Sequence, residues 1–312
     1  MPQDRIHLVL SCDDNFAQHA GVLMQSLLRT AAHPNRLVFH LINGGIQPVN
    51  LQKIQAIVSS WSAQLDLLHI DQQRFSHLFL SHQYSLATYY RLIIGELLPA
   101  EISRCIYLDC DMVALSDIEE LWKTDLQGRP LGAVIDHGLM VSAKNFQEKQ
   151  RDLGLSDKDL YFNAGLLLLD VAQWRQLGLD SIALSLASSR AFRSHDQDVL
   201  NLLFKGNWTV LHTKWNCMPA VYGFSFRLFR QLNRFPDVAE ARRHPAIIHY
   251  AGRYKPWEFD EAASFNGAYF KSIKETPFGP SFQSRRSPQN VGRSLRSELF
   301  RIALGNLFYS FH

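Results

Sequence analysis

The sequence predicts an α/β fold in which a mostly parallel central sheet is flanked by helices. Short runs rich in aliphatic residues alternate with longer runs whose apolar residues recur at helical spacing, the pattern of strands joined by crossover helices. Several strand-like runs are followed by aspartates. Because ligands in such sheets bind beyond the carboxyl ends of the strands, these polar ends are expected to line one crevice.

The alternation predicts most of the elements in order. Strands are predicted over 6–11, 37–42, 65–70, 104–109, 131–136 and 164–170. Helices are predicted over 20–31, 51–61 and 87–98, and from about Val171 onward. The regular alternation fades after about Phe204.

The composition is that of an ordinary globular protein. Of 312 residues, 46% are apolar and 20% charged, and the net charge of +3 gives no reason to expect a nucleic-acid partner. No run approaches the roughly 20 apolar residues of a spanning helix, and the run 6–11 is too short for a signal-peptide core. We therefore expect a cytoplasmic protein whose four cysteines are reduced thiols, with a disulfide as the alternative.

The stretch "YLDCDM" places two carboxylates directly after a strand-like run. Asp109 and Asp111 are two positions apart, so in an extended chain their side chains face the same way. Two such oxygen ligands suit a hard cation whose coordination is completed by substrate phosphates. The alternative is a solvated Asp-x-Asp turn, which is common by chance.

The stretch "HYAGRYKPW" supplies three further candidates. His249 follows a short apolar run and is a candidate third metal ligand, whose nitrogen would favour manganese over magnesium. Gly252 allows close approach of backbone to a phosphate, and Lys255 offers it a positive charge. The alternative for His249 is a hydrogen-bonded core histidine.

The stretch "CDDNF" follows the first strand. Asp13 and Asn15 can hydrogen-bond to a base edge, and Phe16 can stack on the base. The alternative is a strand-to-helix turn with Asp14 or Asn15 as the N-cap. The two interpretations are compatible.

Three other features place polar groups beside apolar elements. Arg91 is a lone cation on an apolar helix and requires an anionic partner, either a substrate group or a structural carboxylate. Asn163 and Ala164 precede a strand-like run, where a plain turn is the alternative. The "DQD" segment at 196–198 begins a helix, where simple capping is the alternative.

Nine motifs follow one another between about residues 6 and 260: "CDDNF", "TYYRL", "YLDCDM", "LGAVID", "YFNAGLLLLD", "DQDVLN", "GNW", "WNCMP" and "HYAGRYKPW". Together they resemble glycosyltransferase family 8, and within it the bacterial lipooligosaccharide and lipopolysaccharide galactosyl- and glucosyltransferases. The resemblance implies a hexosyltransferase of GT-A fold with a UDP-sugar donor, galactose being favoured over glucose. It also implies Mn²⁺, with Mg²⁺ as the alternative, a lipid-linked saccharide acceptor, and retention that gives an α-linkage.

Matching motif to motif gives each candidate residue an implied role. The implied metal ligands are Asp109, Asp111 and His249. The implied nucleotide contacts are Ser11, Asp13, Asn15, Phe16, Gly252, Lys255 and the backbone of Cys110. The implied donor-sugar contacts are Arg91, Asp109, Asn163, Ala164, Asp196 and Gln197, and the implied acceptor contacts are Asp136 and Pro219.

The catalytic candidates are Gln197 and Asp196. Gln197 is matched to the position opposite the leaving group, but an amide is a poor nucleophile. We therefore expect front-face attack, in which the leaving phosphate accepts the acceptor's proton and Gln197 stabilises the cationic sugar. The alternative is a covalent intermediate on Asp196 or Asp198.

Two other classes of protein fit parts of the sequence. Haloacid-dehalogenase-type phosphatases use an apolar strand followed by D-x-D-x-(T/V), with Asp109 as nucleophile and Asp111 as acid/base. That motif usually opens its domain, whereas several strands and helices precede it here, and no two adjacent aspartates follow Asp111. The third class is a non-catalytic module that binds a sugar nucleotide or glycan.

The chain is predicted to divide into a catalytic domain, 1–280, and a basic, aromatic tail, 281–312. The tail combines arginines with leucines and phenylalanines, which is typical of an interfacial helix on an anionic membrane. This predicts a peripheral enzyme on the inner face of the bacterial cytoplasmic membrane. The alternative is a C-terminal helix packed on the domain.

Overall fold

A seven-stranded sheet forms the centre of the protein. The computed structural model describes residues 5–81, 85–140, 142–222, 237–252, 255–258 and 266–282. The strands of the large sheet are β1 (Ile6–Cys12), β2 (Leu37–Asn43), β3 (Gln64–His69), β4 (Arg104–Leu108), β6 (Leu131–Ile135), β7 (Phe162–Asp170) and β8 (Thr209–Val210). Their order is β3-β2-β1-β4-β7-β6-β8.

The prediction of a mostly parallel sheet is confirmed. Of the seven strands of this sheet described by the structure, β7 runs opposite to the others, because it pairs antiparallel with both β4 and β6. The sequence did not predict this reversal. As a result, the amino end of β7 lies at the same edge as the carboxyl ends of β1, β4 and β6.

A second, two-stranded sheet lies beyond this edge. It consists of β5 (Met112–Ala114) and β9 (Ile247–His249), which pair antiparallel with Met112 opposite His249. β5 begins three residues after Asp109. This pairing therefore joins the segment directly after β4 to a strand that lies far downstream in the sequence.

The helices lie around the sheets, and the structure describes twelve α-helical segments. They are α1 (Ala17–Thr30), α2 (Pro48–Ser59), α3 (Ile94–Leu97), α4 (Glu119–Trp122), α5 (His137–Met140), α6 (Ala143–Leu153), α7 (Val171–Gln176), α8 (Leu179–Ser189), α9 (His195–Leu203), α10 (Pro219–Tyr222), α11 (Asp237–Arg243) and α12 (Asn266–Lys274).

The helix predicted over 87–98 has a different form. Leu86–Ile93 is a 3-10 helix, and only the four-residue α3 continues it as an α-helix. In a 3-10 helix, side chains three residues apart project from the same side. Thr88 and Arg91 are spaced in this way, and both contact Asp196.

Each face of the large sheet is covered by an apolar layer. Along β7, Leu166 and Leu168 belong to one layer, and Leu167 and Leu169 belong to the other. Burial on both faces explains why the sequence of this strand is an unbroken apolar run without alternation.

The predicted C-terminal tail, 281–312, lies almost wholly outside the residues that the structure describes. Residues 283–312 lie outside the described residues, so the separate membrane-binding tail stays a prediction. Among the described helices, none is long and apolar enough to cross a membrane. The four cysteines are free thiols, and each is buried.

Candidate active site

Three potential metal ligands converge at the carboxyl edge of the large sheet. Asp109 directly follows β4, Asp111 directly precedes β5, and His249 ends β9. One ligand atom from each lies within 4.8 Å of the others. The structure thus brings together the three residues that the sequence suggested as metal ligands.

His249 turns its Nε2 atom toward both carboxylates. Nε2 lies 3.2 Å from Asp111 Oδ1 and 4.0 Å from Asp109 Oδ2. Its Nδ1 forms a 2.8 Å hydrogen bond with Asn216 Oδ1. The imidazole is therefore a buried, hydrogen-bonded histidine that also has one nitrogen directed at the acidic pair.

Gly165, which was not among the residues predicted from the sequence, lies against this group. A Cβ at this position would be 2.4 Å from His249 Cε1 and 2.8 Å from Asp109 Oδ2. The Gly165 carbonyl also accepts a 2.7 Å hydrogen bond from the Asp109 N–H. Any side chain here would displace two candidate ligands. A glycine within an apolar strand run is the signal that could have identified this close approach.

Lys255 lies on the other side of Asp111. Its Nζ is 2.5 Å from Asp111 Oδ2 and 2.9 Å from the Tyr250 carbonyl oxygen. Burial alone would raise the pKa of the Asp111 carboxyl, but Lys255 and His249 hold that pKa well below its usual range. Asp111 is therefore an ionised, buried carboxylate already balanced by a cation.

Arg91 connects the acidic pair to α9. Its guanidinium donates to Asp109 Oδ1 at 2.8 Å, to Asp196 Oδ2 at 3.0 Å and to the Ala164 carbonyl at 2.6 Å. Burial alone would lower the pKa of Arg91, but the two carboxylates raise it. The structural ion pair considered from the sequence is thus present, and it lies directly beside the candidate ligands.

Asp196 is buried at the start of α9. Burial raises the pKa of its carboxyl to about 6, although Arg91 and the Thr88 hydroxyl oppose this shift. The preceding residue, His195, has a left-handed backbone with φ of 46°. Non-glycine residues seldom adopt this conformation except where surrounding contacts impose it.

Gln197 lies within a hydrogen-bond network between β7 and β6. Its Oε1 accepts from the Asn163 side chain and from the Ala164 N–H, both at 3.1 Å. Its Nε2 donates to Asp136 Oδ2 at 3.1 Å and to the Tyr161 hydroxyl at 3.2 Å. Asn163 and Ala164 lie inside β7 rather than in a turn before it.

The turn after β1 differs from the predicted capping. Asp13, not Asp14 or Asn15, is the N-cap, and its Oδ1 accepts from the Phe16 N–H at 3.2 Å. Asp14 instead accepts from the Gln47 N–H and from the Asn50 side chain, both at 2.8 Å. The strand-to-helix turn of the alternative interpretation is therefore present, but the capping residues named there were wrong. Asp14 contacts the start of α2 instead, which local sequence cannot show.

Two nucleotide candidates have inward-facing side chains. The Ser11 hydroxyl contacts the Ala87 carbonyl and the Tyr107 hydroxyl, each at 3.0 Å. The Cys110 thiol is buried and donates to the Ser11 carbonyl oxygen at 3.4 Å. Neither side chain is therefore directed at the crevice.

The remaining nucleotide candidates lie at the surface. Asn15 is exposed, and the Phe16 ring is 37% exposed and edge-on to His19 and Trp257. Gly252 has φ of 85°, a conformation that favours glycine. An accessible aromatic ring and a glycine turn both suit a nucleotide.

The two acceptor candidates lie on neighbouring short helices. Asp136 precedes α5, and Pro219 begins α10. A Cβ on Gly138 would lie 3.3 Å from Asp136 Oδ1 and 3.7 Å from the Ala220 Cβ. The structure thus brings these two segments together beside Gln197.

The fold and the acidic, histidine-containing cluster together are those of a GT-A type transferase. The model of the family described as "Glycosyl transferase family 8" matches residues 7–261, and the chain belongs to this family. This membership confirms the predicted enzyme class, a hexosyltransferase. It leaves the phosphatase and the non-catalytic module without support.

Proteins and solved structures that are similar to this chain agree with its assignment to this family. General stress protein A of Bacillus subtilis is 29% identical over 88% of this chain and 96% of its own length. A lipopolysaccharide 1,2-glucosyltransferase of Escherichia coli K12 is 29% identical over 81% of this chain and 72% of its own length. The galactosyltransferase LgtC, solved with donor and acceptor sugar analogues, superposes with a TM-score of 0.75 at 28% identity, covering 87% of this chain and 96% of LgtC.

The residues present fit a divalent cation. Two carboxylates and an imidazole nitrogen form a mixed oxygen and nitrogen donor set. The Lys255 ammonium lies against only one oxygen of Asp111, Oδ2, while the other, Oδ1, faces His249 Nε2.

Replacing Gly165 by alanine should disrupt this cluster, because the new methyl group would overlap His249 and Asp109. We expect Mn²⁺ affinity, measured by electron paramagnetic resonance of the free ion, to fall about 10-fold or more. Gly267→Ala is the matched control, since a Cβ there meets nothing within 4 Å. Unchanged Mn²⁺ binding by a folded Gly165→Ala variant would show that this close packing is not needed.

Proposed function

We propose that this enzyme transfers a hexose from a UDP-sugar to a saccharide of the lipopolysaccharide or lipooligosaccharide core, with retention and an α-linkage. Galactose is the favoured hexose and glucose the alternative. The observation that carries the proposal is the cluster of Asp109, Asp111 and His249 with Lys255 beside it. The named activities of LgtC and of the Escherichia coli glucosyltransferase support it.

Asp109, Asp111 and His249 would hold the metal ion. Mn²⁺ is favoured over Mg²⁺ because one of the three donors is a nitrogen. When bound, the ion supplies positive charge against the negative charge that develops on the departing diphosphate. Lys255 would add a second positive charge by moving from Asp111 to a phosphate oxygen, and Gly252 would give the phosphate access to the backbone.

The turn after β1 would hold the nucleotide. Phe16 would stack on the uracil, while Asp13 and Asn15 would hydrogen-bond the base edge. Ser11 and Cys110 would contribute backbone groups, because their side chains are directed inward.

The donor sugar would lie between Arg91, Asp109, Asp196 and the amino end of β7, in contact with Asn163, Ala164 and Gln197. Both lone pairs of Gln197 Oε1 already receive a hydrogen bond, which further weakens an already poor nucleophile. We therefore favour front-face attack, with the leaving phosphate accepting the proton of the acceptor hydroxyl and the Gln197 carbonyl dipole stabilising the cationic sugar.

The carboxylates of the two aspartates next to Gln197 are already bound by other groups of the protein. Asp198 is buried and bound by the Lys149 ammonium, the Tyr161 hydroxyl and the Ser194 N–H. Asp196 is bound by Thr88 and Arg91. A covalent sugar intermediate on either residue would first require one of these buried carboxylates to leave its partners, which disfavours that alternative.

The acceptor would approach past Asp136 and Pro219. A lipid-linked acceptor would be made at the inner face of the cytoplasmic membrane. The basic tail, 281–312, would hold the enzyme at that surface as a peripheral protein.

Donor turnover tests the proposed reaction. With Mn²⁺, the wild type should release UDP from UDP-galactose faster than from UDP-glucose. Asp111→Asn should reduce that release about 100-fold or more, because it removes a charged ligand. Asp125→Asn, at an exposed aspartate that is not among the proposed site residues, is the control and should retain wild-type release.

Other outcomes would contradict the proposal. A phosphatase would instead release phosphate from p-nitrophenyl phosphate, and a binding module would bind UDP-sugar without turnover. Faster release from UDP-glucose would leave the reaction intact but reverse the preferred donor.

Activity should decline as the solution is acidified through about pH 6. Asp196, whose pKa is raised to about 6, takes up a proton below that pH and loses its charged contact with Arg91. The rate of UDP release should therefore be high above about pH 7 and fall along a limb centred near pH 6. Asp196→Asn should be slow at all pH values and lack this limb.

The control for this profile is again Asp125→Asn, which should keep the limb. Thermal unfolding at each pH verifies that the protein is folded. A limb centred near pH 6 that persists in Asp196→Asn would assign it to another group.

A further inference from the structure

Asn216 is a fully buried amide that bridges two parts of the candidate site. Its exposure is 0%, and it directly follows the 3-10 turn Thr213–Trp215. Its Oδ1 is 2.8 Å from His249 Nδ1, and its Nδ2 donates to Asn163 Oδ1 at 2.9 Å. Water cannot replace either partner without entering the core, so both bonds depend on this one side chain.

The backbone fixes the direction of these bonds. The Gly165 N–H donates to Asn163 Oδ1 at 3.0 Å, so that atom must be the oxygen of the Asn163 amide. Asn216 must then turn its NH₂ group toward Asn163 and its oxygen toward His249. The Nδ1 atom of His249 therefore carries the proton, and Nε2 presents a lone pair to Asp109 and Asp111.

The backbone also fixes the direction of the hydrogen bonds at the other end of the network. The Ala164 N–H donates to Gln197 Oε1, so the Gln197 NH₂ group faces Asp136 and Tyr161. Asn163 donates from its own NH₂ group to the same Oε1 atom. Reversing any one amide would bring two donors or two acceptors face to face in a buried region, which is costly.

We propose that Asn216 is a positioning residue for two neighbouring side chains, His249 and Asn163. Through its oxygen it holds His249 in the tautomer that directs a lone pair at the metal site. Through its NH₂ group it holds Asn163, and thereby the amide of Gln197 beneath the donor sugar. This inference rests on the proposed function, since it assigns Asn216 to the metal and donor-sugar sites of that reaction.

Two substitutions test the contact with His249 and the contact with Asn163 separately. Asn216→Asp keeps an oxygen that accepts from His249 but loses the donor to Asn163. It should bind Mn²⁺ at least as tightly as the wild type, while its kcat for UDP release falls about 10-fold or more. Asn216→Leu loses both bonds, so its Mn²⁺ affinity should also fall, by about 10- to 100-fold. Mn²⁺ alone is the probe, and its binding is measured by the electron paramagnetic resonance of the free ion.

Asn201→Leu is the matched control. Asn201 is 3% exposed and hydrogen-bonds through its side chain to the Phe162 backbone and to the Gln197 carbonyl oxygen. Its loss should lower thermal stability in the same way as the loss of Asn216 but leave Mn²⁺ affinity unchanged. The control thus separates loss of a buried amide from loss of ligand orientation.

The outcomes distinguish this inference from the proposed function. Wild-type Mn²⁺ affinity in folded Asn216→Leu, or an equal loss in Asn201→Leu, would overturn the role of Asn216 at His249. Wild-type kcat in Asn216→Asp would overturn the role at Asn163. If the predicted Mn²⁺ affinities are observed but the wild type releases UDP from no UDP-sugar, the positioning of His249 stands and the proposed function fails.

Discussion

The pairing of two three-residue strands holds the candidate active site together. β5 and β9 place Met112 opposite His249, and their apolar residues are buried in the same layer as α1. This burial, more than the few hydrogen bonds of so short a ladder, anchors the pair. Because successive side chains in a strand point to opposite faces, a slip of one residue would turn His249 away from Asp111. The joint approach of Asp111 and His249 to the proposed metal ion depends on this register.

Charge balance is the second constraint on the site. Asp109, Asp111 and Asp196 lie close together in a largely buried region, where an unpaired carboxylate would be strongly destabilising. Arg91 balances two of them and Lys255 the third. A divalent cation that arrives together with an anionic diphosphate adds little net charge to this arrangement. The proposed transfer of Lys255 from Asp111 to a phosphate would therefore keep each charged group paired throughout loading.

The sequence predicted six of the seven described strands of the large sheet, its mostly parallel arrangement and the residues that converge at the carboxyl edge, because these depend on local periodicity and on polar groups placed after strands. The sequence did not predict β8, which is only two residues long. It did not predict the direction of β7, since a run of leucines reports burial on both faces but not orientation. The three-residue strands β5 and β9 are too short to show a period. Gly165 and Asn216 were missed because their importance arises from neighbours distant in sequence: a close approach to His249 in one case and a bridge between His249 and Asn163 in the other.

The most direct test of this account is a crystal structure of the protein with Mn²⁺ and UDP, with the ion located by anomalous scattering. We expect one strong peak between Asp109, Asp111 and the Nε2 atom of His249, with Nδ1 still bonded to Asn216 and Lys255 moved toward the diphosphate. A peak elsewhere, or an ion bound without His249, would contradict it.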